Sequence, residues 1–214
     1  GDLAYTPYLI AECLIRLAPE QAEDALAVGM LQERLNQAVQ NLEVFIGANP
    51  KAPEAADALL KLGVCQTRLA LLQADPPMRN NALNVARQTF DKLIQTYPQA
   101  QQGMQAVMER ARCQAAQGDK GGAINELRRF TTDPLAQSQA APFAIMHLAV
   151  LLREQNKGEE AANLLNAARQ RHEPALTKDF PDRVALLRYH HGICLQEAGK
   201  PAEARAQLDT ISQI

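Results

Sequence analysis

Five short stretches of this chain carry the same pattern, and that recurrence limits its fold more than any other feature. AECLI (11 to 15), GVCQT (63 to 67), ARCQA (111 to 115), AVLLR (149 to 153) and GICLQ (192 to 196) each open on a small residue, followed two places later by cysteine, or by leucine in the fourth. Twelve residues beyond the small position stand Ala123, Ala161 and Ala204 in the last three stretches. Leu127, Leu165 and Leu208 follow four further on, then Phe130, Ala168 and Ile211. The first two stretches show the same second half, as Ala38, Leu42, Phe45, Pro50 and as Ala86, Phe90, Leu93, Pro98. A period of this kind marks a stack of similar units rather than one globule.

The spacing within each unit is that of paired helices. A small residue midway along a first helix lets a second approach, the alanine answers it, and the large residues fill the gap to the next pair. Proline then stops the second helix, since it lacks a backbone donor. Composition agrees: alanine, leucine and glutamine dominate, tryptophan is absent and aromatics make up 4%. The turns QGDKGGA (117 to 123), QNKGEEA (155 to 161) and EAGKPAEA (197 to 204) each place glycine where a first helix should end.

These residues resemble the tetratricopeptide repeat (TPR), a helix pair of about 34 residues. The resemblance implies an all-α fold, a right-handed superhelix (α-solenoid) of about five antiparallel helix pairs. The units run approximately 3–50, 54–98, 101–134, 138–174 and 182–214 in a single repeat domain, 1–214. Units begin 52, 48, 38 and 43 residues apart, so segments are inserted at 18–29, 73–80 and 171–182, as loops or lengthened helix ends. Pro76 and Pro77 should break any helix there. APEAADALLKLGVC (52 to 65) and FDKLIQTYPQA (90 to 100) are similar to repeats of bacterial cell-envelope proteins, the periplasmic Tol-Pal coordinator and the outer-membrane assembly lipoproteins. That resemblance implies a periplasmic setting, with the cytoplasm as alternative. The opening GDLAYTPY carries neither methionine nor a signal segment and reads as part of a longer protein.

Charge narrows the partners. Twenty-two basic and 24 acidic residues give a net charge of −2, with no positive field to draw nucleic acid. Apolar runs such as LALL (69 to 72) are far short of the roughly 20 residues that span a bilayer. A protein or peptide partner is left.

RYHHGIC (188 to 194) looks chemical, because His190 and Cys194 share a helix face at a spacing that suits zinc or a nucleophile with its base. Repeat register argues otherwise. His191 stands where Ile10, Leu62, Arg110 and Leu148 stand, and Cys194 aligns with Cys13, Cys65, Cys113 and Leu151. The three other cysteines have no histidine four residues earlier, where Leu9, Lys61 and Glu109 stand, so the cysteine fills a small apolar slot. No catalytic, metal or cofactor site is assigned, and no phosphate-loop or common hydrolase motif occurs. Successive helix pairs lie roughly 8 to 10 Å apart, too far for a bridge at about 7 Å. Free, buried thiols are expected.

The resemblance places the binding face on the first helices. Residues three before, one after, and four or five after the small position should line it: Tyr8, Glu12, Ile15 and Arg16; Leu60, Val64, Thr67 and Arg68; Met108 and Arg112; Met146, Val150, Arg153 and Glu154; Tyr189, Ile193, Gln196 and Glu197. Methionines flanked by tyrosines and arginines would give an adaptable apolar floor with cationic edges, suited to a peptide with apolar anchors and an acidic group. The carboxylate clamp of chaperone-binding TPR proteins is not matched, since Val64 and Arg112 stand where asparagine would be needed. AEARAQLDTISQI ends on Leu208, Ile211 and Ile214, which suggests self-association through the last helix, or a structural spacer.

Overall fold

The computed structural model describes residues 2–19 and 24–213, and among them every regular element is helical. Ten α-helices follow one another: α1 (Thr6–Leu17), α2 (Ala25–Ala48), α3 (Ala55–Leu71), α4 (Pro76–Thr96), α5 (Gln102–Ala116), α6 (Lys120–Arg128), α7 (Ala141–Glu154), α8 (Gly158–Asp179), α9 (Pro181–Glu197) and α10 (Pro201–Asp209). Odd-numbered helices are the first members of the five repeats and even-numbered ones the second. The all-α repeat fold expected from the sequence is the one observed.

The chain divides into two compact units, 1–118 and 119–214, and the division falls between the two helices of the third repeat. In the first unit α1 packs on α2, α2 on α3, α3 on α4 and α4 on α5. In the second, α6 packs on α7, α7 on α8, α8 on α9 and α9 on α10.

The repeat signature supplies both cores. Ala11, Leu35, Ala38, Leu42, Phe45, Ala86, Phe90 and Leu93 are fully buried in the first unit, and Ala123, Leu127, Phe130, Ala149, Ala161 and Leu165 in the second. Where the small residue is glycine, the approach is closest. A Cβ on Gly63 would meet Phe90 Cζ at 2.7 Å, and one on Gly192 would meet Leu208 Cδ2 at 2.6 Å. Deleting the side chain is what admits the large residue of the second helix.

Local chemistry explains where the helices start and stop. Asp24, Asp75 and Asp119 each accept a hydrogen bond from the backbone N–H three residues on, satisfying a donor that the first turn leaves open. Pro76 and Pro77 do not break a helix; they begin α4, because a first turn has no use for the missing N–H. The inserted segment therefore lengthens a helix. Likewise 171–179 extends α8, which carries Pro174 inside it. Gly118 (φ 97°) and Gly199 (φ 76°) take the left-handed conformation after α5 and α9. In the fourth repeat Asn156 (φ 60°) does so, not Gly158, which is the first residue of α8. Asparagine tolerates that region better than other side chains, so glycine was not required. Part of the first insertion, 20–23, and Ile214 lie outside the described residues.

Candidate functional site

The first helices of the first unit bring polar side chains together along one face. On α3, Asp57, Lys61, Val64 and Arg68 recur at helical spacing, and Tyr8 and Glu12 of α1 reach the acid and the base among them. Tyr8 Oη donates to Asp57 Oδ2 at 2.7 Å, and Lys61 Nζ donates to Tyr8 Oη at 2.8 Å and to Glu12 Oε1 at 2.6 Å. Lys61 also pairs with Asp57 at 2.6 Å. Burial alone would make the ammonium easier to deprotonate, but its bonds to Asp57, Glu12 and Tyr8 outweigh that and raise its pKa. The Tyr8 ring packs against Phe45, with centroids 5.2 Å apart, so the phenol is fixed at both ends.

Asp57 and Lys61 are absent from the residues picked by the repeat rule. The signal that could have found them is their spacing, an acid four residues before a base on one half-buried helix stripe. Tyr8 and Glu12, which the rule did pick, are held by these two.

The other expected residues fall into two groups. Leu60, Met108 and Met146 are buried, at 6%, 5% and 5% exposure, and so are not a floor open to a ligand. All three sit three residues before the small position, where neighbouring helices cover them. The same position is half-buried at Tyr8 and 49% exposed at Tyr189. Val64, Val150 and Ile193 are partly exposed. Three of the four expected cations are engaged: Arg68 donates to the Pro19 carbonyl at 2.6 Å, Arg112 to Glu109 Oε2 at 2.8 Å, and Arg153 holds Glu197 with two nitrogens. Arg112 stays 43% exposed while Glu109 is buried beneath it, and burial raises the Glu109 carboxyl above its usual pKa.

The RYHHGIC stretch becomes part of a packing arrangement. His191 is 6% exposed, and its Nδ1 lies 3.1 Å from Arg169 Nη1. Glu173 sits between two guanidiniums, accepting from Arg169 Nε at 2.8 Å and Arg188 Nε at 2.9 Å. Arg188 also donates to the Thr210 carbonyl at 2.8 Å, and Arg169 to Gln207, so α8, α9 and the end of α10 are tied through these side chains. His190 is half-buried, edge-on to Tyr189 at 5.6 Å, with a shielded Nδ1 that has no partner. Burial and Arg153 hold its pKa below the ordinary histidine value. Cys194 is fully buried, and burial pushes its thiol up to about 11, which disfavours the thiolate a nucleophile or zinc ligand needs. Among the described residues no three His, Cys, Asp or Glu side chains are grouped to hold a metal.

All four cysteines are free. Cys65, Cys113 and Cys194 are buried as expected, but Cys13 is exposed, because no helix covers that side of α1 among the described residues. At the other end, Leu208 is turned inward against Gly192 and Ile211 is partly buried.

The comparisons agree with this geometry. Residues 57–100 match the tetratricopeptide repeat family. Among solved structures, a thermophilic TPR protein of Thermus thermophilus matches with a TM-score of 0.59 at 16% identity, over 91% of this chain and 96% of that one. A kinesin light chain protein of Podosopora anserina, built of nearly identical TPR-like repeats, matches with a TM-score of 0.57 at 13% identity, over 98% and 95%. The MamA protein matches with a TM-score of 0.55 at 14% identity, over 89% and 94%. The fold is that of TPR proteins. A search of curated proteins found no match to the sequence. The TPR fold is commonly a protein-interaction scaffold, and no helix of the described residues is long and apolar enough to cross a membrane.

Proposed function

We propose that this TPR-fold chain is a non-catalytic scaffold that holds an extended peptide or a partner helix along the first helices of its first unit. One observation carries the reading: Tyr8, Glu12, Asp57 and Lys61 form a closed set of bonds between α1 and α3, continued along the same helix stripe by Val64 and Arg68. Side chains already locked lose little entropy when a ligand settles on them. Val64 and the edge of Tyr8 offer apolar contact, and Arg112 keeps N–H donors beyond the one given to Glu109. The ligand class is a peptide with an apolar anchor and an acidic group.

In the second unit, Val150, Arg153, Tyr189 and Ile193 supply a shorter apolar face of the same kind, with Arg153 neutralised by Glu197. The cell-envelope setting rests on the two phrases at 52–65 and 90–100.

Peptides selected from a displayed random library against the purified protein test the assignment. Arg68→Glu with Arg112→Glu should weaken them at least tenfold in fluorescence anisotropy, with the helical circular dichroism unchanged. Equal affinity for the double variant would remove the first-helix face from consideration.

A further inference from the structure

Arg183, near the start of α9, is the exception among the arginines of the second unit. Every other one, from Arg128 to Arg205, has a carboxylate within 4.0 Å, and among the described residues no acid lies that close to Arg183. Two rings hold it instead. Its guanidinium carbon lies 4.8 Å from the centroid of Phe143, on α7, and 4.7 Å from that of Phe180, at the junction of α8 and α9. Aromatic contacts fix the place of the cation without using its N–H groups, so an exposed and positioned guanidinium keeps its donors free. Arg183 stands nine residues before the small Gly192, a place the repeat rule does not pick.

Apolar exposure gathers at the same place. Among the described residues of the second unit, the exposed large apolar side chains are Phe180, Leu186 and Tyr189, at 46, 45 and 49%. Arg183, Leu186, His190, Ile193 and Glu197 follow one another at spacings of three and four, one face of α9, with Tyr189 on its flank. Helix α7 borders this face: Phe143 meets Arg183 at one end, Arg153 holds Glu197 at the other, and the partly exposed Val150 lies between them in sequence.

The face is therefore polarised. At the Glu197 end the cation is already neutralised; at the Arg183 end it is not. An occupant that matches both ends brings one negative group to Arg183 and large apolar groups to Leu186 and Tyr189. A single guanidinium balances one carboxylate and can donate to both of its oxygens, whereas a phosphate dianion would keep half its charge uncompensated. Arg183 and Tyr189 are six residues apart on α9, about 9 Å along the helix axis, a span that an extended peptide covers in about three residues. We propose that Arg183, with Leu186 and Tyr189, is a second peptide site, which takes an acidic side chain and, about three residues from it, a large apolar one. The proposal rests on the scaffold reading for the class of partner and shares no residue with the first-unit face.

Peptides selected from a displayed random library on protein carrying Arg68→Glu and Arg112→Glu, which disables the first-unit face, should share an aspartate or glutamate about three residues from a leucine or an aromatic residue. For the tightest of them, fluorescence anisotropy should show Arg183→Gln weakening binding at least tenfold. Arg183→Lys should weaken it several-fold, because the ammonium keeps the charge but cannot donate to two oxygens in one plane. Replacing the peptide's acid by its amide should cost a factor similar to that of Arg183→Gln, a measurement that needs no Arg183 variant to fold. Selected peptides without a shared acid, an amide peptide that binds as well as the acid, or equal affinity for Arg183→Gln overturns the proposal and leaves the first-unit face to its own test. Displacement of acid-free peptides by millimolar inorganic phosphate overturns it in favour of a free anion at Arg183.

Discussion

Phe90 occupies the space that a side chain on Gly63 would need: a Cβ there would lie 2.7 Å from Cζ and 2.8 Å from Cδ1 of the ring. The two residues belong to the first and second helices of one repeat, and both are buried. The contact between them is the repeat rule in physical form.

Gly63→Ala should therefore destabilise the protein by about 1 to 3 kcal/mol through overpacking, less the roughly 1 kcal/mol that alanine gains over glycine in a helix. A flat ring without free space cannot step aside. Gly63→Ala with Phe90→Leu should recover part of the loss, and chemical denaturation of the three variants measures it. Gly192→Ala meets the flexible end of Leu208 and should cost less.

Glu173 lies between Arg169 and Arg188, with side chains 14 to 18% exposed. Burial raises its pKa, but the bonds from Arg188 and Arg169 outweigh it and hold the carboxyl below the usual range. Glu173→Gln leaves two guanidiniums facing each other and should cost about 2 kcal/mol at neutral pH, below the value for a fully buried pair because water still reaches this one. A carboxylate with a depressed folded pKa contributes above its unfolded value of about 4.3 and loses that contribution as pH falls through the folded value. The difference between wild type and variant in urea melts should shrink below about pH 4.

His172, His190 and His191 all have folded pKa values pushed down, chiefly by burial and next by Arg171, Arg153 and Arg169 respectively. The unfolded chain takes up these protons first, so stability present above about pH 6.5 is lost as pH falls from there through the folded values. His191→Leu restores the residue used at Leu62 and Leu148 and should flatten the pH dependence of thermal melting between neutrality and about pH 5. An unchanged slope would show that His191 does not titrate between the two states.

Of the four thiols, only Cys13 is exposed, and burial pushes Cys65 and Cys194 up to about 11. Native protein at low concentration should release one equivalent in a thiol-colour assay, and all four in denaturant. Cys13→Ser should abolish the fast equivalent alone.

Helix pairing was legible in the sequence because it depends on volume along one chain direction. Gly63, Ala86 and Phe90 must be small, small and large for two helices to meet, and such demands recur at fixed spacing. Cysteine in RYHHGIC was read as a packing residue by the same logic, and Cys194 is fully buried. Exposure was harder to read. Leu60, Met108 and Met146 follow the spacing of Tyr8 and Tyr189, yet only the tyrosines reach solvent, since burial depends on what lies across the helix as well as on its own period.

The sequence by itself determined the number of repeats, their helical character and the small-to-large contacts inside each, all local in register. Only the tertiary structure decided that Lys61 gathers Tyr8, Glu12 and Asp57, and that Arg169 and Arg188 share Glu173. Those outcomes depend on which side chains reach one another between helices, a distance that no spacing along the chain records.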